Sequence, residues 1–227
     1  MNVLIACEES QRLCIAFRER GYKAFSCDIQ SPSGGHPEWH FLDDVHYILH
    51  GGNLLTMDHK THYIDKWDMI IAHPPCTYLS RAGACRLYPQ KGILNRERYI
   101  KGLYAKQFFE LLYYADCKYI AIENPIPLKI FELPKYDQII QPYEYGHPYS
   151  KKTCLWLKGL PPLVPTNILT EYKPFLPSFT SRHKGNKEKY GIAHTAKERA
   201  KTFSGIAAAM AKQWGDYVYD KLQLNKT

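Results

Sequence analysis

The 227-residue chain has no apolar run near the roughly 18 residues that a membrane helix needs, so no span is expected. Its opening, Met1-Asn2-Val3-Leu4-Ile5-Ala6, lacks the basic stretch of a signal peptide and reads as a first strand. A cytoplasmic location follows as the expectation. The cysteines, at 7, 14, 27, 76, 85, 117 and 154, include no CxxC pair, which argues against a zinc cluster or a disulfide framework. An odd number of free thiols implies that most serve as small buried hydrophobes and that one or two at most are chemically special. The histidines show no ligand spacing on one helix face, so no metal is assigned. Repeats and long low-complexity segments are also missing. Acidic residues are in the minority: 30 Lys and Arg against 22 Asp and Glu leave a formal charge of +8, which fits a polyanionic partner such as nucleic acid.

Hydrophobic residues make up 45% of the chain, enough for an ordinary buried core in one domain, or one domain with a small lobe. Val3–Ala6 reads as a buried strand. Leu13, Ala16 and Phe17 recur at helical spacing between Ser10 and Arg20, and Gly21 ends that helix. Lys23–Cys27 reads as a second strand ending at Asp28. Ser31 to Gly35 is loop. Asp68–Ala72 is a third buried strand, stopped by Pro74-Pro75. Ile93 to Ala115 has a long helical pattern, and Tyr119–Ile122 is a further strand, stopped by Pro125.

This alternation predicts an α/β fold of Rossmann-like type, with a mostly parallel central sheet and helices on both faces. Ligands of such sheets lie beyond the carboxyl ends of the strands, where Asp28, Cys76 and Glu123 fall. Prolines then crowd 142 to 177. Thr153–Leu157 reads as a strand, and Thr195–Leu222 as a closing helix interrupted at Ser204-Gly205. The expected layout is a core over 1–157, a short basic, proline-rich recognition or insert segment over 158–199, and a C-terminal helix over 200–227 that completes the core.

Two segments carry chemistry. His73-Pro74-Pro75-Cys76 follows a hydrophobic strand, and two prolines make a rigid turn without backbone donors. That turn lifts the next side chain into a cleft, where a thiol can act as a nucleophile. The plain alternative is a structural cysteine. Glu123-Asn124-Pro125 also follows a strand, and a carboxyl group there suits acid work or a hydrogen bond to a heterocycle. The plain alternative here is a solvated glutamate in an Asx-type turn. Together the two fit pyrimidine chemistry: a thiolate attacks ring carbon 6, an acid at nitrogen 3 stabilises the charge, and carbon 5 becomes nucleophilic.

The chain resembles the DNA cytosine-5 methyltransferase family, in the compact form carried by bacteriophages. Pro74-Pro75-Cys76 resembles the family's Pro-Cys element, and Ser80-Arg81-Ala82-Gly83 its downstream Ser-x-x-Gly. Glu123-Asn124-Pro125 resembles Glu-Asn-Val. Tyr145-Gly146-His147-Pro148 with Lys151-Lys152 resembles Gly-x-Pro-Gln-x-Arg-x-Arg, and Thr202–Ala207 the closing Gly-Asn-Ser element. The resemblance implies the S-adenosylmethionine-dependent methyltransferase fold, S-adenosylmethionine as methyl donor and double-stranded DNA as partner.

It further implies Cys76 as covalent nucleophile, Glu123 at ring nitrogen 3, and Lys151 or Lys152 in place of a base-holding arginine, a change from planar fork to point charge. Around the donor it implies Cys7, Glu8, Glu9, Asp28, Ile29, Asp43, Asp44, His73 and Pro74, with Asp28 at the ribose hydroxyls and Asp43 or Asp44 at the adenine amino group. The family's first loop is glycine-rich, whereas Ala6-Cys7-Glu8-Glu9-Ser10-Gln11 has none, leaving backbone amides at the start of the helix to face the donor's carboxylate. His73 could tune the thiolate or contact the donor.

Tyr78, Ser80 and Arg81 are expected near a flipped-out base, and Arg182, Lys184 and Lys187 near phosphates. The short interval before the closing element implies relaxed sequence specificity. If phage-encoded, the protein works in the host cytoplasm. Three rival readings stand beside this one: an amino-group methyltransferase, a cytosine-modifying enzyme acting on RNA or free nucleotide, and a noncatalytic nucleic-acid-binding protein on a degenerate methyltransferase fold.

Overall fold

The computed structural model describes residues 1–175 and 195–224. Along the chain run β1 (Asn2–Ala6), α1 (Arg12–Glu19), β2 (Lys23–Asp28), β3 (His40–Leu42), α2 (Val45–Ile48), β4 (Gly52–Leu55), β5 (Thr61–Ile64), β6 (Met69–Ala72), α3 (Ala84–Leu87) and α4 (Arg96–Tyr113). Then come β7 (Ile120–Asn124), β8 (Gln138–Ile140), β9 (Tyr149–Ser150), β10 (Thr153–Lys158), β11 (Lys173–Pro174), α5 (Ala196–Ala200) and α6 (Ser204–Leu224). Seven strands form the central sheet in the order β3-β2-β1-β6-β7-β10-β8. The strands from β3 to β7 are mutually parallel, and β10 runs antiparallel between β7 and β8. The order reverses between β1 and β6, which opens a crevice at their carboxyl ends. No helix among the described residues is long and apolar enough to cross a membrane.

Strand alternation explains the layers. Val3, Ile5, Met69, Ile71 and Ala121 share one core with Leu13 and Phe17 of α1 and Ile206, Met210 and Trp214 of α6. Leu4, Ala6, Ile70, Ala72, Ile120 and Ile122 share the other with Val45 and Ile48 of α2 and Phe109 and Leu112 of α4. Each buried Leu, Ile or Phe contributes roughly 1.5–3 kcal/mol. A surface pair such as Arg20–Asp216 contributes at most about 1 kcal/mol. The two apolar layers therefore hold the strand ends in place.

The expected Rossmann-like α/β sheet with helices on both faces is present, with shifted boundaries. Helix α1 starts at Arg12, because Gln11 takes a left-handed φ of 56°. Its close is as expected: Gly21, at φ 81°, turns the chain back. The Asn95 side chain accepts from the Arg98 amide and starts α4 three residues later than the hydrophobic pattern implied. The break in the closing helix falls at 201–203, ahead of Ser204-Gly205. There the Arg12 guanidinium donates to the Thr202 carbonyl at 2.8 Å and pins the chain. Strands β3 and β8 and the β4–β5 hairpin went unread: they are three or four residues long and mix polar with apolar positions.

Candidate active site

The turn after β6 is built from few bonds. The His73 amide donates to the Ala6 carbonyl at 2.9 Å, which extends the parallel register one residue past the strand. Pro74 and Pro75 add no donors. The Cys76 carbonyl then accepts from the Leu79 and Ser80 amides at 3.2 and 3.1 Å, closing a tight turn. Cys76 itself is half-buried and forms no disulfide.

Four contacts fix this turn to its surroundings. The Asn124 side-chain amide donates to the Pro74 carbonyl at 3.2 Å. The Arg81 amide donates to the Ile126 carbonyl at 2.9 Å, and the Leu128 amide to the Leu79 carbonyl at 2.7 Å. From the first turn of α4, the Arg98 guanidinium donates to the Thr77 carbonyl at 2.6 Å and lies 4.9 Å from the Tyr78 ring centroid. The loops after β6 and β7 thus form one hydrogen-bonded unit.

His73 and Glu123 stand one residue beyond the paired Ala72 and Ile122, so they are neighbours at the sheet edge. His73 Nδ1 lies 3.3 Å from Glu123 Oε2, and the two side chains are only 13% and 12% exposed. The pair stands at ion-pair distance, and hydrogen bonding and charge both act across it. Burial works against both charged forms, but the pairing outweighs it: Glu123 is held below the usual carboxylate range and His73 is raised. Glu8 adds to the rise of His73, and Lys151 and Thr202 add to the lowering of Glu123. Burial raises the Cys76 thiol, while the Lys151 ammonium pulls it down and the Glu123 carboxylate pushes it up. The thiol therefore feels both groups that the sequence pointed to.

The residues expected around the donor line two adjoining cavities at the ends of β1, β2 and β3. One, of about 270 Å³, is bounded by Cys7, Asp28, Ile29, Asp43, Asp44 and Pro75, among others. The other, of about 400 Å³, is bounded by Glu8, Glu9, Ser10, His73, Lys201 and Thr202, and it shares Cys7 and Asp28 with the first. Pro74 is buried and bounds neither; Pro75 takes that place. Asp28 is raised by burial and accepts from the Gln30 amide at 2.9 Å. Asp44 caps α2 through the His46 amide at 3.0 Å, and Asp43 accepts from the Asp44 amide at 2.7 Å. Ile29 is 76% exposed.

One expectation here is corrected. The amides at the start of α1 do not face a ligand: the Glu8 carboxylate accepts from the Leu13 and Cys14 amides at 2.6 and 3.1 Å and fills that seat itself. The loop manages without glycine by placing Cys7 and Gln11 at φ 59° and 56°. Such backbone costs about 1–3 kcal/mol at each position. The buried Gln11 side chain offsets part of it, bonding the His36 carbonyl and amide and the Ser26 hydroxyl at 2.8, 3.1 and 3.1 Å.

Of the residues expected at DNA, Tyr78 is covered by Arg98, and Ser80 is buried in a short backbone bridge to Pro127. Ser80 is thus part of the scaffold and not a contact surface. Arg81 is exposed and borders a groove of about 720 Å³ with Tyr88, Lys129, Lys135 and Tyr136. Arg182, Lys184 and Lys187 lie outside the described residues. Lys151 and Lys152 part company. The Lys151 ammonium donates to the Arg199 carbonyl at 2.9 Å and acts on Cys76, His73 and Glu123, whereas Lys152 is exposed and absent from those interactions. No group of His, Cys, Asp and Glu able to hold a metal occurs among the described residues.

Sequence reasoning missed Arg98, Asn124, Lys201 and Thr202. Arg98 lies 22 residues from Cys76 on another element, and no local pattern marks it. Asn124 stood beside Glu123 in plain view, but its bond to Pro74 joins two strands. Thr202 was legible only as part of the closing element.

No family model matches the sequence. A comparison with curated proteins gives no match either. Among solved structures the chain is similar to a methyltransferase of Entamoeba histolytica, EhMeth, at 13% identity and a TM-score of 0.37, over 74% of this chain and 57% of that one. The chain thus spans little more than half the length of that structure, and at this level the likeness says nothing about the reaction.

Proposed function

We propose that this chain is a DNA cytosine-5 methyltransferase in which Cys76 is the nucleophile and Glu123 the acid. The observation that carries the reading is the single hydrogen-bonded unit holding a partly buried thiol and a nearly buried carboxyl group at neighbouring strand ends. S-adenosylmethionine, when bound, supplies a methyl group on a positively charged sulfur. Its adenosine part suits the cavity with Asp28, where a carboxylate can accept from ribose hydroxyls and the remaining wall is mostly apolar. Its amino-acid part suits the adjoining cavity, whose cations are Lys201 and His73.

The chain's own residues do the rest. Cys76 rests as a thiol, because burial opposes the thiolate; Lys151 stabilises the thiolate as it forms. A cytosine turned out of the stack reaches the sulfur at carbon 6, while Glu123 meets nitrogen 3. The proline turn and the Asn124 and Arg98 bonds keep that geometry without cost at the moment of attack. The groove with Arg81, Lys129 and Lys135 continues from the same loops and offers three cations to a phosphate backbone.

The test is covalent trapping. Protein incubated with S-adenosylmethionine and duplex DNA carrying 5-fluorocytosine should give a denaturation-resistant adduct, absent in Cys76→Ala. Absence of any adduct from the intact protein, together with no methyl incorporation into cytosine DNA, refutes the reading.

A further inference from the structure

A carboxylate cannot donate a proton that it does not hold. Glu123 sits below the usual carboxylate range, so its resting form is the anion. Acid assistance at nitrogen 3 needs a proton delivered to it within the site. Solvent is a poor source, since the Glu123 side chain is only 12% exposed. The proton-bearing group beside it is the His73 imidazole, whose Nδ1 is 3.3 Å from Glu123 Oε2.

The other charged groups acting on His73 are the buried Glu8 from the β1 loop, which raises it, and Lys151 from the loop before β10, which lowers it. Its second ring nitrogen, Nε2, is buried without a hydrogen-bond partner, and the side chain borders the cavity with Lys201. His73 thus feels carboxyl groups from two different strand ends, with Nδ1 at ion-pair distance from Glu123.

Resting on the function proposed above, we infer that His73 is the proton store of Glu123. The Cys76 thiol releases its proton to solvent on its accessible side and its sulfur electron pair forms the bond to carbon 6, while Glu123 gives nitrogen 3 a proton that it takes from His73 Nδ1; carbon 5 then bonds the donor's methyl group, whose old bond pair stays on the donor sulfur. When the carbon 5 proton passes to solvent water and the sulfur–carbon 6 pair returns to sulfur, the nitrogen 3 proton goes back to Glu123 and from it to neutral His73, and the thiolate regains its proton from solvent, so that one proton is released overall. His73 gains and loses one proton per cycle, and no external acid is consumed. His73 touches neither base nor sulfur; it is a positioning residue that acts through Glu123.

The experiment compares methyl transfer by the wild type, H73N and H73Q across a pH series. It is joined to nuclear magnetic resonance of the histidine ring nitrogens in the wild type and E123Q. Proton supply through a group of this kind is worth about 10²–10⁴-fold. H73N and H73Q should lose at least about 10²-fold in turnover at saturating donor with the KM for DNA little changed, and should lose the fall in rate that the wild type shows as His73 deprotonates above its ordinary range. The His73 ring should titrate above that range in the wild type and drop in E123Q.

A purely structural histidine predicts an equal loss at all pH values, and that result overturns the inference. So does a His73 ring already neutral at pH 7, a readout that needs no folded His73 variant. An unaltered rate and pH profile in H73N overturns the inference while leaving the proposed function intact. No methyl transfer by the wild type overturns both.

Discussion

Asn124 reaches across the sheet edge and donates its side-chain amide to the Pro74 carbonyl at 3.2 Å. The bond joins the strand end that carries the acid to the turn that carries the thiol. Asn124 is 3% exposed, so its loss strands a buried carbonyl. Asn124→Ala should cost about 1–3 kcal/mol of stability, read by denaturant unfolding, and should slow adduct formation on 5-fluorocytosine DNA. Asn124→Asp should cost more than Ala, because it faces one acceptor with another.

Arg98 holds the far side of the same turn through the Thr77 carbonyl and the Tyr78 ring. Arg98→Ala should lower turnover by about 10–100-fold through loss of loop placement, since displacements of about 1 Å cost that much. Arg98→Lys should not restore it, because a point charge lacks the flat fork that bonds and stacks at once. Wild-type turnover in Arg98→Ala would show that the Tyr78 loop holds itself.

The fit at Gly205 is tighter still. A Cβ there would lie 2.0 Å from the Tyr145 carbonyl oxygen, and the Gly205 amide donates to His147 Nε2 at 2.9 Å. Gly205→Ala forces backbone to shift and should destabilise by at least about 1–3 kcal/mol in thermal unfolding. An unchanged melting temperature would mean that the 145–147 loop gives way freely.

Burial raises Glu8 to about 7. The folded state then binds more protons than the unfolded state between its ordinary value of 4.5 and about 7. This group's contribution to stability is complete below 4.5 and is lost as pH rises through about 7. His73, also raised, has the same sign; Glu123, lowered, has the opposite one. Glu8→Gln isolates the first contribution: the variant mimics the protonated form, so wild type should lose unfolding free energy relative to the variant from pH 5 to pH 8. Parallel curves over that range would place Glu8 as an ordinary ionised carboxylate.

The groove beside the Cys76 and Glu123 loops makes a separate prediction, which rests on the proposed DNA substrate. Lys129→Glu with Lys135→Glu should weaken duplex binding and flatten its dependence on salt, by roughly one unit of slope for each phosphate that is no longer neutralised. Binding that keeps the wild-type salt slope would move the DNA path elsewhere.

Much of this architecture can be read from residues in order. Val3–Ala6, Met69–Ala72 and Ile120–Ile122 are continuous apolar runs, because both faces of a central parallel strand are covered. The placement of Cys76 and Glu123 follows from two such runs, each ended by proline. Other features were closed to the sequence because they depend on distance in the chain. Nothing near Cys76 announces Arg98, and the spacing of Lys151 and Lys152 does not tell which one faces inward. The occupation of the amides at the start of α1 is hidden for a local reason: a carboxylate five residues ahead of Leu13 can fold back onto the helix, and sequence gives no sign that it does.

That folded-back carboxylate changes what the crevice can attract. In a glycine-rich first loop, bare amides and the positive helix end form a magnet for anions. Here the magnet is already neutralised from within the chain. On the proposed reading, a negatively charged end of a visiting molecule finds its counter-charge at His73 and at Lys201, which arrives with Thr202 from the far end of the polypeptide. That wall is therefore tied to the docking of the C-terminal helix, whose Ile206, Met210 and Trp214 also fill one core layer of the sheet.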